Sequence, residues 1–200
     1  MLLEEYMDVF ALSAQRAEEA RHVLEVLDVK GAWQSVGAEV RLVGSVRTGL
    51  ILNKRDIDMH VYTDRPDMAE SLAAMTPILS RDGVEKMECR NLLHTEEACL
   101  EWHVWYRDAA GELWQLDIIH IRKGSQYDGF VEDFADRLQA ALTEETRAAI
   151  LHLKAQTPEH EQTAGIFYYL AVLRDGIRTY EDFCRWRRNL PSESIVTWRP

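Results

Sequence analysis

Apolar and polar residues recur with two different periods along the chain, and the periods separate helices from strands. Between residues 2 and 27 apolar side chains return every three to four positions, which predicts an amphipathic helix that Lys30-Gly31 ends. Residues 99–107 instead alternate apolar and polar side chains, as a half-buried strand does. By these criteria we predict strands at 39–43, 56–63, 84–93, 99–107 and 113–121, and further helices at 68–79, 131–154, 163–174 and 181–189.

The predicted strands end near residue 124, and only helical patterns follow. Residues 108–112 include Gly111 and predict a hairpin loop, so strands 99–107 and 113–121 should be antiparallel neighbours. We therefore expect an α/β (α+β) fold, with a sheet domain at residues 1–124 and a C-terminal helical portion at residues 125–200.

Composition narrows the range of partners. The 200 residues are 46% hydrophobic, enough for one domain with a good core or for one domain with a small helical appendage. A net charge of -11 argues against sequence-independent binding to DNA or RNA, and a small or cationic partner fits better. The N-terminus does not have the pattern of a secretory signal, no segment has the pattern of a membrane span, and the three widely spaced cysteines predict neither a disulfide framework nor a zinc site. A cytoplasmic protein is the expectation.

The most informative segment is a glycine turn followed by two aspartates. Gly44-Ser45 follows the first predicted strand, and Asp56-Ile57-Asp58 begins the second. Side chains at i and i+2 of a strand point to the same face, so the two carboxylates should project together and repel each other. A divalent cation such as Mg²⁺ relieves that repulsion and usually brings substrate phosphates with it. Backbone amides and the serine hydroxyl at the turn are suited to hold such phosphates.

A third carboxylate, Asp117, lies in the otherwise apolar strand 113–121. Taken alone, such a residue is expected at a sheet edge facing water, since a buried acid must be paired, solvated or bound to metal. Together with Asp56 and Asp58 it would complete a two-metal site, because two metals need ligands from more than one strand.

The segments Gly44-Ser45-Val46-Arg47-Thr48-Gly49 and Asp56-Ile57-Asp58-Met59, with Asp117 downstream, resemble the nucleotidyltransferase superfamily. That superfamily includes DNA polymerase β and the kanamycin and lincosamide nucleotidyltransferases. The resemblance implies a mixed sheet flanked by helices. It also implies a transferase that binds magnesium and a nucleotide such as ATP, and that moves a nucleoside monophosphate from an NTP to a hydroxyl with release of pyrophosphate.

The resemblance also implies roles for single residues. Asp56, Asp58 and Asp117 would be catalytic and would ligate two Mg²⁺ ions, with Mn²⁺ as an alternative ion. Asp117 would help to deprotonate the acceptor hydroxyl, Ser45 would contact the distal phosphates of the nucleotide, and Gly44 would belong to the same nucleotide-binding turn.

Two arginines near the motif are further nucleotide-binding candidates. Arg47 lies inside the 44–49 turn, which is expected to be a loop, and both a phosphate contact of its guanidinium and a solvated surface position remain open. Arg55 departs from the family, which commonly has a small hydroxyl residue before the first aspartate. A phosphate contact, an ion pair with Asp56 and evolutionary drift all remain open for Arg55, and Lys54 is expected to be a solvated surface cation.

The remaining histidines and arginines carry weaker signals of metal or phosphate binding. His60 shares the face of Asp56 and Asp58, and His103 and His120 lie in neighbouring predicted strands, but none of them has the spacing of a metal-binding pair. The arginines between residues 178 and 188 are interleaved with acids and are expected to form a solvated helix face, with binding of the triphosphate or of an acceptor phosphate as the alternative.

Three functions remain open. A small-molecule acceptor is the leading expectation, because the small size and acidity of the chain disfavour a polymerase. The alternatives are a non-catalytic module of the same fold that binds nucleotide or protein, and an enzyme that modifies a protein side chain.

Overall fold

A five-stranded mixed sheet forms the centre of the molecule. The structure is a computed structural model that describes residues 2–158, 160–161, 163–189 and 198–200, with side chains from residue 9 onward. The strand order is β1-β2-β5-β4-β3, with β2 and β5 parallel and every other neighbouring pair antiparallel. The predicted mixed sheet and the antiparallel β4–β5 hairpin are confirmed. The strands are β1 (Glu39–Leu42), β2 (Asp56–Thr63), β3 (Val84–Asn91), β4 (Cys99–Arg107) and β5 (Leu113–Arg122).

Helices surround the sheet and continue the chain after it. Their bounds are α1 (Leu2–Val26), α2 (Val29–Gln34), α3 (Gly44–Thr48), α4 (Met68–Leu79), α5 (Phe130–Ala141), α6 (Glu144–Gln156), α7 (Gly165–Tyr169) and α8 (Tyr180–Arg188). Helix α7 continues into one π-helical turn at Leu170–Arg174. None of the helices in the described part of the chain has the length and apolarity that a bilayer crossing needs.

Alternation along the central strands divides the sheet into an apolar face and a polar face. Ile57, Met59 and Val61 of β2 join the main core, which is completed by side chains from β4, β5 and helices α1, α2 and α4. Trp102 and Trp114 are fully buried there, as packing across paired strands predicts. The opposite face carries the alternate residues, and Asp56 and Asp58 are only half-buried on it.

The prediction of one continuous helix over residues 131–154 was wrong. Leu142 is extended, and Thr143 starts a new helix because its hydroxyl accepts the Thr146 amide while the Thr146 hydroxyl accepts the Thr143 amide. This reciprocal cap satisfies amides that a helix start leaves without a partner. The break lets α5 and α6 lie along different parts of the same cleft.

Two short helices were also missed. The 44–49 segment, expected to be a loop, forms the single turn α3, which ends at Gly49 in a left-handed conformation with φ of +66°. Helix α2 spans Lys30-Gly31, where the first helix was expected to end, because the Asp28 carboxylate accepts the Gly31 amide and starts a new turn. Segments this short carry too few residues for periodicity to reveal them.

A second apolar cluster joins the two predicted portions of the chain. It contains Val9 of α1, Leu50 and Leu52 of the loop before β2, and side chains of α5, α6, α7 and α8. Ser13 donates to the Gly49 carbonyl at 3.1 Å, and Arg16 donates to the Leu52 carbonyl at 3.2 Å. The apolar cluster therefore packs the helices after residue 124 against the loop that leads to Asp56, and the two hydrogen bonds attach α1 to the same loop.

Candidate active site

The strand register brings the predicted carboxylates together. Asp58 of β2 is directly opposite Asp117 of β5, and Asp117 is in turn opposite His103 of β4. Asp56, two residues before Asp58, is opposite Gln115. Neighbouring strands lie about 4.8 Å apart, so the three aspartates occupy adjacent positions on the polar face.

Gly44 is needed because α3 approaches Asp58 very closely. A Cβ atom placed on Gly44 would lie 2.0 Å from the Asp58 Oδ2 and 2.9 Å from the Asp58 Cβ, and Gly44 has a φ of +64°. The Asp58 carboxylate accepts a hydrogen bond from the Ser45 backbone amide. The glycine of the motif therefore allows the first turn of α3 to hold one of the two paired carboxylates.

Asp56 and Asp58 are placed where negative charge is unfavourable. Burial, and then the charges of Asp117 and Asp56, raise the pKa of Asp58 to about 6. Burial also raises the pKa of Asp56 above its usual range, against the effect of Lys54, and Asp117 adds to the rise. Like charges and desolvation both disfavour ionised carboxylates, so this group of acids is stabilised by a bound cation.

Asp117 is held from two sides. Its Oδ1 accepts from the Gln115 Nε2 at 2.8 Å and lies 2.6 Å from the His103 Nδ1. The imidazole donates in this contact, because an ionised carboxylate can only accept. The two partners fix the orientation of the third carboxylate.

Lys154 of α6 supplies positive charge to the same group. Its Nζ donates to the Leu50 carbonyl at 2.6 Å and lies 5.6 Å from the ring centre of Tyr169. Burial lowers the pKa of Lys154 to about 8, against the opposing effect of Asp58. Burial, and then the charge of Asp58, raise the pKa of the Tyr169 hydroxyl. Lys154 therefore offers a partly desolvated cation, which binds anions more strongly than a solvated one.

One cleft of about 730 Å³ is bordered by the three aspartates, Gly44, Ser45, His103, Lys154 and Tyr169. Its size is that of a small-molecule or cofactor site. The lining also includes His60, Glu101, Ile119 and the α5 residues Val131, Phe134, Ala135 and Leu138.

The predicted nucleotide-binding residues Ser45, Arg55 and Arg47 have different surroundings in the structure. Ser45 lines the cleft, but its amide is engaged by Asp58, so its hydroxyl is the group left for a phosphate. Arg55 also lines the cleft and forms an ion pair of 2.8 Å with Glu112 rather than with Asp56. Arg47 pairs with Asp136 of α5 and is not part of the cleft lining.

The donor set suits a hard divalent cation, although the side chains are not arranged in a closed metal site. Within the described ranges, no group of three His, Cys, Asp or Glu side chains has metal-binding geometry. Asp56, Asp58 and Asp117 nevertheless offer carboxylate oxygens on one sheet face, and burial, together with the neighbouring acids, raises the pKa of both Asp56 and Asp58. Oxygen ligands and excess negative charge fit Mg²⁺ or Mn²⁺.

The sequence is similar to one known protein family over the sheet region. A sequence model described as the nucleotidyltransferase domain matches residues 26–125, which is half of the chain. The chain belongs to the nucleotidyltransferase domain family. The match spans β1 to β5 and includes the Gly44-Ser45 turn and all three aspartates. The resemblance stated from the motif is thus confirmed at the level of the family. No curated protein matches the sequence.

Solved structures of nucleotidyltransferases share the fold. The Cid1 poly(U) polymerase with MgGTP bound aligns with a TM-score of 0.61 and 16% identity, over 84% of this chain and 53% of that one. A cytoplasmic RNA terminal U-transferase aligns with a TM-score of 0.54 and 17% identity, over 85% and 53%. The GLD-2/RNP-8 complex aligns with a TM-score of 0.56 and 8% identity, over 98% and 76%. The chain spans about half the length of the Cid1 structure, and at these identities the likeness concerns the fold.

Several residues of this candidate site were not found from the sequence. Lys154 lay within a predicted helix without any motif, and His103 was interpreted as a polar strand residue. The link from His103 to Asp117 depends on the hairpin register, which the predicted 108–112 loop could have revealed. The approach of Lys154 to Leu50 joins residues 104 positions apart and left no local signal.

Proposed function

We propose that the protein transfers a nucleoside monophosphate from an NTP to a hydroxyl group. The observation that carries the proposal is the placement of Asp56, Asp58 and Asp117 on one sheet face beside the α3 turn. Membership of the nucleotidyltransferase domain family supports the same reaction class.

The residues divide the reaction between them. The acceptor oxygen forms a bond to the α-phosphorus, the bond from that phosphorus to the β-bridging oxygen breaks, and pyrophosphate leaves. Asp117, oriented by His103 and Gln115, takes the proton of the attacking hydroxyl. The Ser45 hydroxyl and Lys154 face the triphosphate and offset its negative charge.

A divalent cation, Mg²⁺ or Mn²⁺, would be held by Asp56, Asp58 and Asp117. When bound, it supplies electrostatic stabilisation of the attacking and leaving oxygens. The Cid1 poly(U) polymerase structure contains MgGTP, which supports a metal–nucleotide complex as the substrate form in this fold. Two ions are the number we propose, since three carboxylates on two strands can bridge a pair.

A small molecule is the acceptor we favour. The net charge of -11 repels a phosphate backbone, and Arg47 and Arg55 are already paired with Asp136 and Glu112. RNA is the second candidate, because the Cid1 poly(U) polymerase and the RNA terminal U-transferase act on RNA with a similar fold. The free thiols of Cys89, Cys99 and Cys184 fit a reducing compartment such as the cytoplasm.

Thermal unfolding with Mg²⁺ and each of the four NTPs tests the proposal. A ligand that binds only the native state raises its melting temperature by mass action. We expect at least one Mg–NTP pair to raise the melting temperature of the wild type and of the surface control Asp82→Ala, but not that of Asp56→Ala. Absence of a shift with all four NTPs would exclude the enzyme proposal.

A further inference from the structure

The row of residues next to the carboxylates on the polar face has a different chemistry. His60 of β2 is opposite Ile119 of β5, and Ile119 is opposite Glu101 of β4. All three residues line the cleft. They lie two residues along each strand from the Asp58–Asp117–His103 row, a separation of about 6.6 Å at about 3.3 Å per residue. A molecule whose hydroxyl reaches Asp117 would extend over this second row.

Tyr62 and Glu132 determine which ring nitrogen of His60 carries the proton. The Tyr62 hydroxyl donates to the Glu132 Oε1 at 2.7 Å, and the His60 Nδ1 lies 3.1 Å from the same hydroxyl oxygen. A hydroxyl has only one proton, and here it points to the carboxylate, so Nδ1 must carry the proton in its contact with Tyr62. The Glu132 Oε2, 3.7 Å from Nδ1, favours the same arrangement. In a neutral imidazole, Nε2 is then the hydrogen-bond acceptor.

One wall of the same cleft is apolar. Val131, Phe134, Ala135 and Leu138 lie at i, i+3, i+4 and i+7 of α5 and form one helix face along the cleft. Such a wall suits a carbon ring better than a phosphate chain.

Positive charge is placed at the other end of the cleft. The Lys and Arg residues in its described lining are Lys54, Arg55 and Lys154, which precede β2 or lie on α6. Near the second row, Arg90 is paired with Glu101 at 3.2 Å. A phosphate-bearing acceptor would therefore meet no cation from the described lining at this end.

We propose that His60, Glu101 and the α5 face form the acceptor subsite, which takes a small hydroxylated molecule with hydrogen-bond donors and an apolar face. His60 Nε2 accepts a hydrogen bond from a second hydroxyl or an amino group of that molecule. Glu101 lies on the same row, and its carboxylate, which is paired with Arg90, adds further hydrogen-bond acceptors. The inference rests on the proposed nucleotidyl transfer and specifies its acceptor.

Labelling with [α-³²P]NTP tests the acceptor class. The probes are glucosamine, the phenyl glycoside of glucosamine, inositol, and a short RNA with a free 3′-hydroxyl. We expect label on the small probes, with the lowest KM for the phenyl glycoside and no label on RNA. His60→Phe, which keeps a ring but removes both nitrogens, should raise the acceptor KM about tenfold, the effect of one lost hydrogen bond. His22→Phe on the exposed surface of α1 is the matched control.

Two further measurements distinguish failure of the proposed acceptor subsite from failure of the proposed nucleotidyl transfer. The melting-temperature shift with Mg–NTP should be unchanged in His60→Phe, and its absence in the wild type would refute nucleotidyl transfer itself. If the shift is present but label reaches only RNA or no probe, or if His60→Phe leaves the acceptor KM unchanged, the subsite is refuted alone. A ¹⁵N long-range correlation spectrum of the His60 ring should show the proton on Nδ1, and a proton on Nε2 would overturn the proposal whatever the acceptor.

Discussion

Replacing Gly44 by alanine tests whether the glycine turn serves the paired carboxylates. A Cβ atom there would lie 2.0 Å from the Asp58 Oδ2 and 2.9 Å from the Asp58 Cβ. Rotation of the carboxylate removes the first clash but not the second, so α3 and β2 must also move apart. We expect the variant to lose both stability and metal–nucleotide binding.

Gly124→Ala separates this clash from the backbone effect. Gly124 has a φ of +69°, close to the +64° of Gly44, but an added Cβ would meet nothing within 4 Å. Both substitutions should cost about 1–2 kcal/mol for a left-handed L-residue. Gly44→Ala adds an overpacking cost of about 1–3 kcal/mol. For a chain of this size, that difference lowers the melting temperature of Gly44→Ala by a further 2–12 °C, roughly.

Urea unfolding gives the two stabilities, and the melting-temperature shift with Mg–NTP gives ligand binding. We expect Gly124→Ala to retain the full shift and Gly44→Ala to lose most of it. The reasoning is refuted if the two variants are equally stable and both retain the shift, because the α3–Asp58 contact would then have no role.

Three further substitutions probe the charges of the site. Burial raises the pKa of Asp58 to about 6 in the folded state, above an unfolded value of about 3.9. Without divalent cations, the wild type should therefore lose stability relative to Asp58→Asn as pH rises from about 4 to 6. Urea unfolding at both pH values measures this, and a pH-independent difference would contradict it. Lys154→Met should weaken NTP binding by calorimetry about tenfold or more, while the exposed control Lys86→Met should not, and wild-type binding should weaken as pH rises through the Lys154 pKa of about 8. Equal affinities of the two lysine variants would exclude the role of Lys154. His103→Phe should lower kcat about tenfold or more with little change in the NTP KM, because Asp117 loses the donor at 2.6 Å that orients it. Steady-state assays measure both constants. An unchanged kcat would show that Gln115 alone is sufficient to orient Asp117.

Local periodicity was enough to predict the strands. The bounds of β2 and β4 agree with the prediction because alternation continues through both strands. The same two-residue period placed Asp56, Asp58 and His60 on one face before any tertiary information was available. The hairpin between β4 and β5 followed from the composition of its loop.

The rest of the site depends on contacts between distant residues. The parallel pairing of β2 with β5 brings Asp58 beside Asp117, 59 positions away, and no turn sequence encodes it. Glu132 reaches Tyr62 from α5, and Lys154 reaches Leu50 from α6. The positions of Glu132 and Lys154 relative to each other depend on the helix break at Thr143. The apolar pattern of residues 131–154 gave no sign of this break. The role of Arg47 was inferred from its position in the motif, whereas its side chain pairs with Asp136.

Parallel reactions with [α-³²P]NTP and [γ-³²P]NTP test nucleotidyl transfer most directly. The protein would be incubated with Mg²⁺ and with separate small-molecule and RNA fractions of a cell extract. We expect the α-label to enter an acceptor while the γ-label appears in pyrophosphate, and we expect both signals to disappear in Asp58→Asn. No transfer by the wild type, or equal transfer by Asp58→Asn, would contradict a nucleotidyl-transfer centre built on Asp56, Asp58 and Asp117.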